Sequence, residues 1–416
     1  MEMSSSRVQA LRIVRSRIES SMRFVDGRGV RVVDSAGKAY YDLACVDGRA
    51  SAGHGDRRIA EAAYEQTLKL ASAPGDTVAH EALRTALHGL MPGSWEGVVL
   101  AESRARAMEA AIGIAAQRSR GSPGEAIVAV QKRTAFASDL ARKSGVVFVP
   151  QPDPYSCEMG GTTPAECAVR CARAVEKAVV AAGPSAVCAL VAEPVSRLGV
   201  VPGDEYWPML REICNEYGIV LIADESTCGL GRSGKVLAGE GVGASPDIVV
   251  LGDALAGGYL PLGALLVRIG PAPEENTNGG RANPVSCAAA VKHIEAVGGG
   301  GLAANAAEVG PYLKEVIEGL KVDHPAVAAV RGRGLLLGIE LADGLKDRGR
   351  AIEVADLSAR TVRRLSEQGV LVYAEGSALT IAPPLTITRE EVDEAVHAID
   401  IALWAVEGEL GVAIMA

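Results

Sequence analysis

The sequence predicts an α/β protein built on a parallel sheet, and three observations carry that reading. Short aliphatic runs at Val187–Ala192, 218–223 and 247–252 are apolar on both faces, as strands covered by helices on each side must be. Helical signals precede the first two runs. Thr163-Pro164-Ala165-Glu166 reads as a capping box with proline at the first helical position, and a second helix is expected over 206–217. Size is the third observation: 416 residues, 48% of them hydrophobic, suffice for a large α/β domain and a smaller one.

The other elements follow in chain order. Residues 29–43 read as a strand pair turning at Asp34-Ser35-Ala36-Gly37. Towards the C-terminus, helices over 303–320 and 355–368 alternate with strands near 334–341 and 370–373. No repeat, low-complexity tract or charged tail interrupts them. With 48 glycines and 4% aromatics, the core must close-pack small and branched aliphatics. A net charge of -9 argues against a nucleic-acid or anionic-membrane surface. No apolar run reaches the length of a membrane span, and the first residues lack the regions of a signal peptide, so a cytoplasmic protein is expected. The eight cysteines are scattered without a paired CxxC, which indicates neither a zinc site nor a disulfide framework. Cys167 and Cys171, four apart on one helix face, read as small core residues.

Each of the three aliphatic strands ends in an acid: Glu193, Asp224 and Asp253. Ligands of open α/β sheets bind beyond the carboxyl ends of the strands, so three carboxylates are expected near one crevice. The residues around them resemble class III (omega-type) aminotransferases, which use pyridoxal phosphate (PLP). The likeness runs through Gly37-Lys38-Ala39-Tyr40-Tyr41-Asp42, Gly53-His54-Gly55, Glu193-Pro194-Val195 and Leu221-Ile222-Ala223-Asp224-Glu225. It continues through 229–235, 247–264, Asn283-Pro284, Arg331-Gly332-Arg333-Gly334 and Ala382-Pro383-Pro384-Leu385. It implies fold type I: a mainly parallel seven-stranded sheet in a large domain (55–285), and a smaller α/β domain from both chain ends (1–54 and 286–416). It also implies a homodimer whose active sites lie at the subunit interface.

The resemblance places Asp253 where the family carries the lysine that bonds covalently to PLP, and a carboxylate has no nucleophilic amine to form that bond. Asp224 falls at the position that pairs with the PLP ring nitrogen; it is either that partner or a retained structural acid. In the stretch matching the phosphate cup, Arg104 replaces a close-approach glycine and Ala105 has no hydroxyl. Arg104 and Arg106 are then either anion anchors or solvated residues at a helix start. An aromatic-His-Gly triplet is missing from 131–136, and glycine replaces a threonine within 278–284. Thr380 stands where many members have an arginine for a substrate α-carboxylate, and Lys235 reads as an ordinary loop residue.

These departures favour an enzyme of aminotransferase ancestry that has lost PLP-dependent transamination and uses no cofactor or metal. Asp253, Asp224 and Glu193 would perform acid–base catalysis on a small, polar, anionic substrate, one of them kept protonated by mutual repulsion. Arg104, Arg106, Cys228 and His54 would surround that substrate, with Cys228 either a nucleophile or a small buried hydrophobe. The alternatives are a non-catalytic subunit or scaffold partnering an active enzyme, and a residual class III aminotransferase. Metal binding by the three carboxylates is a further alternative.

Overall fold

Alternation along four buried strands creates the two faces of the main sheet. The computed structural model describes residues 15–16, 22–118, 127–131, 145–268, 281–343, 345–347 and 350–411. The sheet comprises β1 (Gly97–Ala101), β2 (Ile127–Gln131), β3 (Val146–Val149), β4 (Val187–Ala192), β5 (Val220–Asp224), β6 (Ile248–Leu251) and β7 (Gly263–Val267). Their order is β1-β7-β6-β5-β4-β2-β3. Only β7 runs antiparallel, pairing so with both β6 and β1. Every residue of β4, β5, β6 and β7 is buried, which explains their β-branched and aliphatic composition.

The helices are α1 (Arg57–Lys69), α2 (Val78–Leu90), α3 (Arg104–Arg118), α4 (Pro164–Ala182), α5 (Tyr206–Tyr217) and α6 (Pro284–Val297). Ala189, Val191, Val220, Ile222, Ile248 and Val250 pack in one cluster with Ala107, Met108, Ala111 and Ile114 of α3. The alternate residues Leu190, Leu221, Ala223, Val249 and Leu251 join α4, α5 and α6 in the other. Thr163 caps α4, its hydroxyl accepting from the Glu166 N–H at 3.2 Å. The expected box is only half formed, because the Glu166 carboxylate accepts from the N–H and hydroxyl of Thr162 instead, at 3.0 and 2.8 Å.

The two chain ends meet in smaller sheets. Val370–Leu371 pairs in parallel with Ala39–Asp42, which continues through Arg31–Asp34 to Phe24–Arg28. The turn at 34–37 closes as read, with Gly37 at φ +84° and its N–H donating to the Asp34 carbonyl at 3.0 Å. A second sheet joins Val327–Arg333, Leu336–Leu341, Ala378–Ile381, Tyr373–Glu375 and Arg15–Ser16. Helices Leu302–Gly319, Val354–Glu367 and Arg389–Leu410 supply the hydrophobic core behind these strands. No helix among the described residues is long and apolar enough to cross a membrane.

Candidate active site

Register sets the site. Ala192 on β4 pairs with Ala223 on β5, so the residues that follow, Glu193 and Asp224, stand side by side at the carboxyl end of the sheet. Asp224 in turn pairs with Val250 on β6, and the chain then turns at Gly252 into a short 3₁₀ turn, Asp253–Ala256. The Asp253 backbone is thus at the same sheet end; its side chain lies outside the described residues.

Asp224 is 1% exposed. Its Oδ1 accepts from the Ser226 N–H at 3.0 Å, while the buried Oδ2 has no hydrogen-bond partner among the described residues. The buried Ser226 hydroxyl likewise has none. Glu193 is held from behind: its N–H donates to Gln131 Oε1 at 2.9 Å, and Gln131 Nε2 donates to the Tyr206 hydroxyl at 3.0 Å. The neighbouring Glu225 accepts from the Ala238 and Gly239 N–H groups at 2.6 and 2.9 Å. Burial pushes its carboxyl up to about 7 against the pull of those two amides.

Arg104 reaches this end of the sheet. A Cβ added to Gly252 would lie 2.7 Å from Ser226 Cβ and 3.2 Å from Arg104 Cδ, so the arginine stem and the serine crowd the glycine that precedes Asp253. The other proposed substrate contacts are placed elsewhere. Arg106 is exposed and pairs along α3 with Glu102 at 3.2 Å and Glu109 at 2.9 Å, the solvated alternative. Cys228 is fully buried in an apolar cluster with Val195, Ala238, Leu336 and Ala382. Burial pushes its thiol well above its ordinary value, so it is a packing residue rather than a nucleophile. His54 pairs with Asp42 at 2.9 Å and lines a cavity of about 670 Å³ with Phe24, Asp26, Val32, Leu371 and Tyr373, among the N-terminal strands.

Two residues to which the sequence reading gave no role steady the site. His293 on α6 is fully buried, with Nδ1 3.1 Å from the Leu255 carbonyl and Nε2 2.9 Å from the Ser51 hydroxyl. Burial pushes it down to about 4, so it is neutral and pins the turn that begins at Asp253. Tyr259 donates to the Gly53 carbonyl at 3.0 Å and accepts from the Asp56 N–H, joining that turn to the start of α1. The hydroxyl of Thr380 donates to the Arg197 carbonyl at 3.1 Å, and Lys235 is exposed. The altered triplet at 132–136 and the segment 278–280 lie outside the described residues.

A family model described as "Aminotransferase class-III" matches residues 15–403. The diaminobutyrate–2-oxoglutarate transaminase of Halomonas elongata is 29% identical, over 89% of this chain and 87% of that protein. The taurine–pyruvate aminotransferase of Bilophila wadsworthia is 30% identical, over 93% of each. A solved (S)-enantioselective omega-transaminase from Thermomicrobium roseum superposes with a TM-score of 0.84, 28% identity and 93% coverage of both chains. These matches confirm the resemblance and fold type I, but they overturn two expectations. Relatives along nearly the whole chain are named as transaminases, which contradicts an enzyme that has left transamination for carboxylate chemistry. The same family points to PLP, against the expectation of no cofactor. A few altered side chains weigh less than a scaffold that keeps Asp224 and the strand register around it. The chain belongs to the class III aminotransferases.

Proposed function

We propose that this chain is a PLP-using aminotransferase that moves an amino group between a small amine and a 2-oxo acid. Asp224 carries the reading. A buried carboxylate oxygen at the ligand-binding end of the sheet needs a donor, and Oδ2 has none among the described residues. The protonated ring nitrogen of PLP is such a donor, and the cofactor when bound supplies an electron sink. The Ser226 hydroxyl offers a further hydrogen bond, and Arg104 a cation for the phosphate.

The fit fails at one position. Asp253 has no amine, so retention of the cofactor rests on non-covalent contacts from Asp224, Ser226 and Arg104. Tyr64 and Leu68, one turn apart on α1 and 65% and 70% exposed, form an apolar patch that a second copy would cover, which supports a homodimer. Eight free cysteines suit a reducing cytoplasm.

Incubation with PLP, a panel of primary amines, and pyruvate or 2-oxoglutarate tests the proposal. Alanine or glutamate above the protein-free background supports it. No product with any amine, from folded and PLP-saturated protein, refutes it.

A further inference from the structure

Cys157, Cys167 and Cys171 play no part in that site, yet their three sulfurs lie within 4.8 Å of one another. Cys167 and Cys171 are buried on successive turns of α4, and Cys157 faces them, half-buried, from the preceding loop. That loop is fastened to the helix. The Gly160 N–H donates to the Cys157 carbonyl at 2.9 Å, and a Cβ on Gly161 would lie 2.5 Å from the Cys167 nitrogen. Arg170, on the same helix, donates to the Gly160 carbonyl at 2.9 Å and brings a cation to the loop.

We propose that these three cysteines bind a thiophilic metal ion, zinc(II) in the native protein. Zinc–sulfur bonds of about 2.3 Å at tetrahedral angles set the sulfurs about 3.8 Å apart, so the observed cluster needs to contract by no more than about 1 Å. On binding, each thiol releases its proton to solvent, three zinc–sulfur bonds form, and a water takes the fourth position. The site then carries one net negative charge. A disulfide would use two sulfurs and leave the third idle; convergence of all three is what an ion requires. Cys167 and Cys171 at helical spacing read in the sequence as packing residues because their third partner lies ten residues before Cys167, in a loop with no motif.

The test uses the full chain, purified without a metal-binding tag, stripped with chelator and titrated with cobalt(II). One cobalt per chain, with sulfur-to-cobalt charge-transfer absorption that zinc abolishes, is the expected result. Cys157→Ser, at the half-buried position, should keep the fold by circular dichroism and weaken cobalt binding more than about 100-fold, beyond the loss expected from an outer-shell change. Cys188→Ser and Cys214→Ser, at buried positions outside the cluster, should bind cobalt as the parent does. Alkylation of Cys157 should slow when zinc is present. Absence of the charge-transfer band, undiminished binding by Cys157→Ser, or a Cys157 disulfide mapped in the freshly isolated protein would each overturn the proposal.

Discussion

Asp224→Asn keeps the shape of the side chain at the head of the site and removes its charge. In the parent, Oδ2 is buried without a partner and Oδ1 is occupied by the Ser226 N–H. If the PLP ring nitrogen is the missing donor, the substitution exchanges a charge-assisted hydrogen bond for a neutral contact. Such bonds contribute about 1.5–3 kcal/mol, which corresponds to PLP binding weakened about 10- to 150-fold. The free protein should respond in the opposite sense. A buried carboxylate with an unsatisfied oxygen destabilises the unliganded fold, so the variant should melt no lower than the parent without PLP, and gain less from adding it. Absorbance titration with PLP and melting curves with and without PLP measure both effects on one sample. An unchanged affinity, or a variant that melts well below the parent without PLP, would show that Asp224 is a structural acid and refute the reasoning.

Four further outcomes follow from the same geometry. Gly252→Ala should cost about 1–3 kcal/mol by overpacking, because its Cβ would meet Ser226 at 2.7 Å; chemical denaturation measures it, and weaker PLP binding should accompany it. Glu225 is raised in the fold to about 7 from 4.5, so the stability it contributes is complete below the lower value and is lost as pH rises through the upper one. Glu225→Gln should remove that loss, roughly 3 kcal/mol, as read from unfolding curves at about pH 5 and about pH 8. Asp253→Lys should acquire a PLP adduct that borohydride fixes to residue 253, detectable by peptide mass, where the parent acquires none there. Leu68→Glu should shift sedimentation towards monomer if the apolar face of α1 joins two copies.

Much of the scaffold was legible because its signals are local. Three aliphatic runs located β4, β5 and β6 to within two residues, and the 206–217 helix matches its expected span. The three strand-end acids were found because strands in a parallel sheet finish on the same side, a property of topology that needs no distances. Contacts that depend on distant residues were not legible. Arg106 could not be told from Arg104 by position, since only packing decides that one turns to Glu102 and Glu109 while the other crosses to Gly252. His293 reaches Ser51 and Leu255 from far along the chain, and neither partner forms a spacing motif with it. His54 and Cys228 sit near family motifs in sequence but face an N-terminal cavity and an apolar cluster. The carboxylate at position 253 bears on a covalent hold alone, which is narrower than the loss of a cofactor.

Transfer of a labelled amino group tests the central claim most directly. The purified chain is saturated with PLP, given a ¹⁵N-labelled primary amine and unlabelled pyruvate, and the alanine formed is analysed by mass. The account predicts ¹⁵N-alanine above the protein-free PLP background, reduced in Asp224→Asn in step with its weaker PLP binding. Saturable PLP binding without ¹⁵N-alanine from any amine in the panel would contradict it.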